Sequence, residues 1–333
     1  MKPSFHTRLV NDPFEDPCLY IRFLWEARAL LFDAGFTTNL STRDILKISD
    51  IFISHTHIDH FIGFDSILRL HLGRDKALRL YGPQGFIDCV EGRMRGYTWN
   101  LIGDYPIVIE AHEVTDECIK ICAFRSNALF KREDLGVKPF EGIILDEPLF
   151  KVKAAILDHQ VPCLAFSLEE GFHINIDKAR LSSMGLSVGQ WLRRLKMAIR
   201  EGKGDEVFTL NGKGYALSEL MGIVNITKGQ KVSYVADAIG SDDNIKRIVE
   251  LVEGSDVLYI ETYFLDKDTE RARQRYHLTA RQAGMIGGMA RVKRIVPFHF
   301  SPRYTDNPDD LIEEALKEFD KYKARSTSIV SSK

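Results

Sequence analysis

Nowhere in the 333-residue chain is there an uncharged stretch of roughly 18 residues, the length a helix needs to span a bilayer. No membrane anchor is therefore expected. The opening Met1-Lys2-Pro3-Ser4-Phe5-His6 lacks the apolar run of a secretory signal, so the expected compartment is the cytoplasm. The five cysteines, Cys18, Cys89, Cys118, Cys122 and Cys163, are odd in number and scattered, which argues against a disulfide framework and fits a reducing compartment. An excess of charge of one sign is also missing. With a net charge of -2 the chain has no global pull toward nucleic acid or membrane, and any such binding must use a local patch. Internal repeats and low-complexity segments are absent.

What is present is an ordinary globular composition, 44% hydrophobic and 28% charged, enough for a large core. Into it is set one dense polar turn. The apolar run Asp50-Ile51-Phe52-Ile53 leads into Ser54-His55-Thr56-His57-Ile58-Asp59-His60. Three histidines and an aspartate in six positions cannot share one face of a strand or of a single helical turn, so a sharp strand-to-helix turn is predicted there. Neutral imidazole nitrogen mixed with carboxylate oxygen suits zinc, and less exclusively iron or manganese. Four ligands from one turn crowd a single tetrahedral ion, so the expected cofactor is a pair of divalent metal ions.

The same arrangement of an apolar strand ending in a metal-capable side chain recurs along the chain. Ala29 to Phe32 ends at Asp33, Val152 to Leu157 at Asp158-His159, and Lys231 to Ala236 at Asp237. Val257 to Ile260 ends at Glu261, and Arg294 to Phe298 at His299. Groups at strand ends are positioned by a rigid sheet while the loops leave an opening for substrate. His159, Asp237 and His299 are read as metal ligands, and Asp33 and Glu261 as acceptors that orient histidines. Further expectations are a hairpin across residues 19–35, helices opening at Gly82-Pro83 and at Asn307-Pro308, and a loop near Leu145. A helical insertion is expected at about 168–229 within a single domain of 1–333. Its second helix, Val188 to Glu201, carries Arg193, Arg194, Lys196 and Arg200, with Lys203 just beyond. These cations could hold an RNA backbone or form a solvated face.

Taken together, His55, His57, Asp59 and His60 with His159, Asp237 and His299 resemble the metal set of the metallo-β-lactamase superfamily. That resemblance implies an α/β four-layer αββα sandwich. The segment His277-Leu278-Thr279-Ala280-Arg281-Gln282-Ala283, paired with His299-Phe300-Ser301-Pro302-Arg303-Tyr304, resembles the ribonuclease Z family of tRNA 3′-processing endonucleases. It implies that His55, His57 and His159 hold one ion, that Asp59, His60 and His299 hold the second, and that Asp237 is shared. It further implies a tRNA precursor as substrate and a homodimer. Asp59 would handle the proton of the attacking water, and His277 would lie by the scissile phosphate. Local sequence agrees for His277, because Thr279 with Gln282 is a capping-box signature and opens a helix whose N-terminal end favours anions. Ser301 and Arg303 could hold phosphate oxygens. The chain departs from the family pattern at Gly189-Gln190, where Gly-Pro is usual, at Ala238, where threonine is usual, and in lacking a glycine-rich opening. Hydrolysis of a small phosphodiester or other small ester is therefore the second expectation, and an inactive binding protein of the same fold the third.

Overall fold

The computed structural model describes residues 4–24 and 26–330. Two sheets lie face to face. The first holds eight strands in chain order, β1 (Phe5–Leu9), β2 (Leu19–Phe23), β3 (Ala29–Phe32), β4 (Ile48–Phe52), β5 (Ala77–Pro83), β6 (Val108–Val114), β7 (Cys118–Arg125) and β8 (Arg132–Pro139). The second holds β9 (Ile143–Asp146), β10 (Phe150–Asp158), β11 (Pro162–Glu170), β16 (Lys231–Val235), β17 (Val257–Glu261) and β18 (Ile295–Phe298), in the order β18-β17-β16-β11-β10-β9.

Between the sheets lies an aromatic and aliphatic core that includes Phe32, Phe52, Phe166, Leu168 and Tyr234. Phe32 stacks on Phe52, and Phe52 on Tyr81, at centroid distances of 4.9 and 4.7 Å. Helices Phe64–His71 and Phe86–Arg95 cover the outer face of the first sheet through a second core. Helices Asp242–Val252, Ala280–Met289 and Pro308–Val330 belong to a third core with β17 and β18 of the other sheet. The layers are thus α, β, β, α, the metallo-β-lactamase sandwich. Among the described residues no helix is long and apolar enough to cross a membrane.

Strand direction positions the site. β10 is antiparallel to β11, and β11 is antiparallel to β16, so β10 runs the same way as β16 and its parallel neighbours β17 and β18. The C-terminal ends of these four strands therefore share one rim and deliver His159, Asp237, Glu261 and His299 to it. In the first sheet the parallel pair β3 and β4 delivers Asp33 and the His55 turn. The two sheets meet at this rim through Leu164 N–H donating to Ser54 O at 2.8 Å.

Residues 172–228 gather around a small core of their own that includes Leu181, Leu195, Phe208 and Leu220. They contain β12 (Phe172–Ile176) paired with β15 (Val224–Lys228), the hairpin of β13 (Val207–Leu210) and β14 (Lys213–Ala216), and helices Lys178–Ser183 and Trp191–Arg200. β11 runs on to Glu170, so residues 168–170 are part of the six-stranded sheet. Two local expectations are corrected. Gly82-Pro83 closes β5, and the next helix begins only at Phe86, after Gly85 turns the chain at φ 87°. The segment around Leu145 is strand β9, because Ile144 and Leu145 bury against the core between the sheets.

The loop after β3 and the histidine turn are tied by two backbone bonds, Ala34 N–H to His60 O and Gly63 N–H to Ala34 O, both 2.8 Å. Their approach leaves no room for a side chain at Gly63, where a Cβ would sit 2.0 Å from Gly35 O. Gly63→Ala is expected to destabilise the fold by about 1–3 kcal/mol through overpacking, measured as a lower denaturant midpoint at an unchanged slope. A midpoint equal to the parent's would contradict that packing.

Candidate metal centre

The turn from β4 into helix Ile58–Phe61 places His57 at the helix N-cap, with His55 and His60 buried below it. His55, His57, His159 and Asp237 offer donor atoms within 4.8 Å of one another, and so do Asp59, His60 and His299. The Asp237 carboxylate is common to both clusters. Its Oδ2 lies 3.7 Å from His55 Nε2, 3.6 Å from His60 Nε2 and 3.4 Å from His159 Nε2, while Oδ1 lies 2.7 Å from His299 Nδ1. Asp59 Oδ2 faces His60 Nε2 at 3.4 Å and His299 Nε2 at 3.6 Å.

The second nitrogen of several of these rings is engaged elsewhere. His60 Nδ1 bonds to Asp33 Oδ2 at 2.8 Å, His159 Nδ1 to the Tyr276 carbonyl at 2.7 Å, and His55 Nδ1 contacts Ser54 Oγ at 3.1 Å. Such bonds fix the ring and its tautomer and leave the other nitrogen for a ligand. His55 Nε2, His60 Nε2, His299 Nδ1 and Asp237 Oδ1 are buried and none makes a well-aligned hydrogen bond, although the last two lie only 2.7 Å apart. Buried polar atoms left unpaired cost about 1–3 kcal/mol each, so a cluster of four calls for something else to satisfy them. Mixed imidazole and carboxylate donors of this kind fit divalent metal ions.

Asp33 and Glu261 hold the histidines, and Glu261 also lies within 4.8 Å of donor atoms of Asp237 and His277. Asp33 is fully buried and accepts from Ser54 N–H, Ser54 Oγ–H, Tyr234 OH and His60. Glu261 Oε2 lies 2.9 Å from His277 Nδ1, and Oε1 accepts from Ala238 N–H and Leu278 N–H. His277 is thus brought beside Asp237, 3.9 Å from its Oδ2. The Thr279–Gln282 capping box is present at the start of helix Ala280–Met289. Ser301 is buried, and its hydroxyl accepts from Arg303 N–H at 3.5 Å; the Arg303 side chain is exposed.

Other groups at the site lay beyond the sequence reading. Tyr263 stacks on His277 at 3.8 Å with planes 5° apart and meets His299 edge-on at 5.2 Å. Its place two residues past the end of β17 was the one available signal. The thiol of Cys163 lies 3.8 Å from His55 Nδ1. Asp33 and His299 both adopt left-handed backbone, at φ 52° and 56°, which costs a non-glycine residue about 1–3 kcal/mol.

Burial pushes the His55 imidazole down to about 2, reinforced by the neighbouring His60, so it is neutral and ligand-ready. Burial acts the same way on His60 and His299, but carboxylates outweigh it: Asp237 and Asp33 raise His60, and Asp237 with Asp59 raises His299 to about 10. Burial also opposes ionisation of Asp237, yet His299, His60 and His277 hold its carboxyl well below the usual range. His60 and His299 therefore favour protons at neutral pH, and a metal must displace them. The expected outcome is that metal loading releases protons and weakens as pH falls from about 8 to about 6. Calorimetric titration in buffers of different ionisation heat measures it, and loading independent of both buffer and pH would contradict it.

No family model matches the chain. Among curated proteins it is 28% identical over 305 residues to ribonuclease Z of Deinococcus radiodurans, covering 90% of each. It is 29% identical over 307 residues to ribonuclease Z of Trichodesmium erythraeum, covering 90% of this chain and 82% of that one. Among solved structures, the short form of human tRNase Z superposes with a TM-score of 0.53 at 20% identity, covering 90% and 93% of the two chains. A metallo-β-lactamase fold protein of Bacillus subtilis gives 0.55 at 14%, covering 94% and 92%. The chain thus has the metallo-β-lactamase fold and is similar over nine-tenths of its length to ribonucleases Z.

Proposed function

We propose that the chain is a dinuclear metal-dependent phosphodiesterase that cleaves tRNA precursors endonucleolytically at the 3′ side. The observation that carries this reading is the buried Asp237 carboxylate, shared among the imidazole nitrogens of His55, His60 and His159 with His277 at its flank. The likeness to ribonucleases Z over nine-tenths of the chain supports RNA as the substrate.

In this reading His55, His57 and His159 hold one ion, Asp59, His60 and His299 hold the other, Asp237 serves both, and zinc is the metal the donor set suits. When bound, the pair would lower the pKa of water toward roughly 7 and neutralise charge on the phosphodiester. The rest falls to the chain's own side chains. Burial works against ionisation of Asp59, but the His299 and His60 imidazoles that face it at 3.6 and 3.4 Å keep it a carboxylate, able to accept the proton of the attacking water. His277 is lowered by burial but raised further by Glu261 and Asp237, which favours its protonated form. With Nδ1 held by Glu261 and the ring plane held by Tyr263, Nε2 is the atom that donates to the leaving oxygen. Arg303 supplies an exposed guanidinium for phosphate oxygens, on a turn that Ser301 caps.

A small phosphodiester is the second reading, favoured by the cations of the inserted segment. Arg194 pairs with Glu206, Lys203 with Glu201, and Arg200 with Glu170, so these three are already engaged by carboxylates and less open to an RNA backbone.

Cleavage of a 3′-extended tRNA precursor, set beside hydrolysis of bis(p-nitrophenyl) phosphate, separates the two readings. Precursor cleavage supports the first, and turnover of the small diester alone supports the second. Asp237→Ala is expected to lose bound metal, read by elemental analysis, and all activity with it. His277→Ala is expected to keep its metal and to cut precursor turnover by roughly 10²–10⁴-fold. It should slow the nitrophenyl diester far less, because that leaving group departs without a proton. Equal losses on both substrates would sink the acid role.

A further inference from the structure

At the end of the sandwich opposite the metal rim, helix Trp191–Arg200 and β12 close over the larger sheets and leave a cleft of about 480 Å³. Its position follows from β11, which starts at Pro162 beside the rim and ends eight residues later at Glu170 beneath the cleft. That is a span of roughly 25 Å along an extended strand.

The cleft is lined unevenly. Aliphatic and aromatic side chains make one part of the wall, with Phe23 from the first sheet, Ile176 from β12, and Leu192 and Met197 from the helix. Positive charge enters from one side. Arg193, Lys196 and Arg200 stand at intervals of three and four along the helix and so share a face, and Lys178, at the start of the preceding helix, also lines the cleft. Among the described residues, two carboxylates lie near these four cations. Glu26 is on the lining, and Glu170 lies beneath, its oxygens already taken by Ser4 Oγ–H at 2.6 Å, Gln230 N–H at 3.1 Å and His173 Nδ1 at 3.2 Å. Arg200 reaches Glu170 at 3.4 Å. Lys196 is half-buried, and burial, with Arg200 next to it, lowers its ammonium from the ordinary lysine value. Apolar walls and crowded, partly desolvated cations favour a ligand that brings both a hydrocarbon body and a negative charge. The predominance of aliphatic over aromatic lining favours a flexible chain over a planar base.

We propose that this cleft binds an amphipathic anion, an aliphatic chain with a carboxylate or phosphate head, the head on Arg193, Lys196 and Arg200 and the chain along Phe23, Ile176 and Leu192. A body of eight to ten carbons is of the size that pockets of a few hundred cubic ångströms enclose. The site is remote from the metal centre and separate from the hydrolytic chemistry proposed there.

The test is calorimetric titration of the full chain with decanoate, with decyl phosphate and with neutral decanol, each below its micelle concentration. Saturable one-to-one binding of at least one anion is expected, about tenfold or more tighter than decanol. Arg193→Met and Lys196→Met are each expected to weaken it by about tenfold or more, with thermal melting and bis(p-nitrophenyl) phosphate hydrolysis unchanged. Which anion binds identifies the head group. The proposal is overturned by the absence of saturable binding, by decanol binding as tightly, or by variants that bind like the parent. It is equally overturned if both variants lose affinity only for single-stranded RNA, which would assign these cations to a nucleic-acid backbone.

Discussion

A single buried carboxylate joins the parts on which everything else rests. Asp33 ends β3 with no exposure to solvent and accepts from Ser54, His60 and Tyr234, the last of them from the opposite sheet. Removing a carboxylate from water costs several kcal/mol unless its lone pairs are satisfied, so displacing any of these donors is expensive. The sheets and the histidine turn are therefore held in one register. The left-handed backbone at Asp33 is strain that this network offsets.

From that register follows the electrostatic character of the rim. Buried histidines in apolar surroundings are normally neutral, as His55 is, but His60 and His299 lie against carboxylates and retain positive charge. Asp237 is the counterpart, a fully desolvated acid kept ionised by the imidazoles around it. Such an arrangement is poised for exchange of protons for divalent cations, since each imidazole nitrogen that loses a proton becomes a donor. Glu261 and Tyr263 do for His277 what Asp33 does for His60: one fixes a nitrogen by a hydrogen bond, the other restricts the plane of the ring.

The sandwich separates two environments by the length of its strands. At the C-terminal ends of β10, β16, β17 and β18, buried polar groups converge. At the other end of β10 and β11, aromatic packing of Phe5, Phe23 and Phe150 gives way to the cleft beneath the inserted segment. A rigid double sheet between them lets the far end vary without disturbing the geometry of the donors.

By itself the sequence determined the local elements and the dense turn. Apolar runs of strand length, each ending in a polar residue, marked Asp33, His159, Asp237, Glu261 and His299, because strand periodicity and burial are written in nearest-neighbour pattern. The spacing of His55, His57, Asp59 and His60 is equally local. Tertiary structure alone decided that these ends share a rim, since that depends on the relative directions of β10, β11 and β16, which no short pattern specifies. It alone brought Tyr234 to Asp33 across 201 positions and set Tyr263 on His277. It also turned the cations of helix Trp191–Arg200 toward separate partners, Glu206 for Arg194 and Glu170 for Arg200. The physical reason is the same in each case: a residue's own segment sets its periodicity and burial, but the partner of a buried charge or ring is chosen by what packs against it from far along the chain.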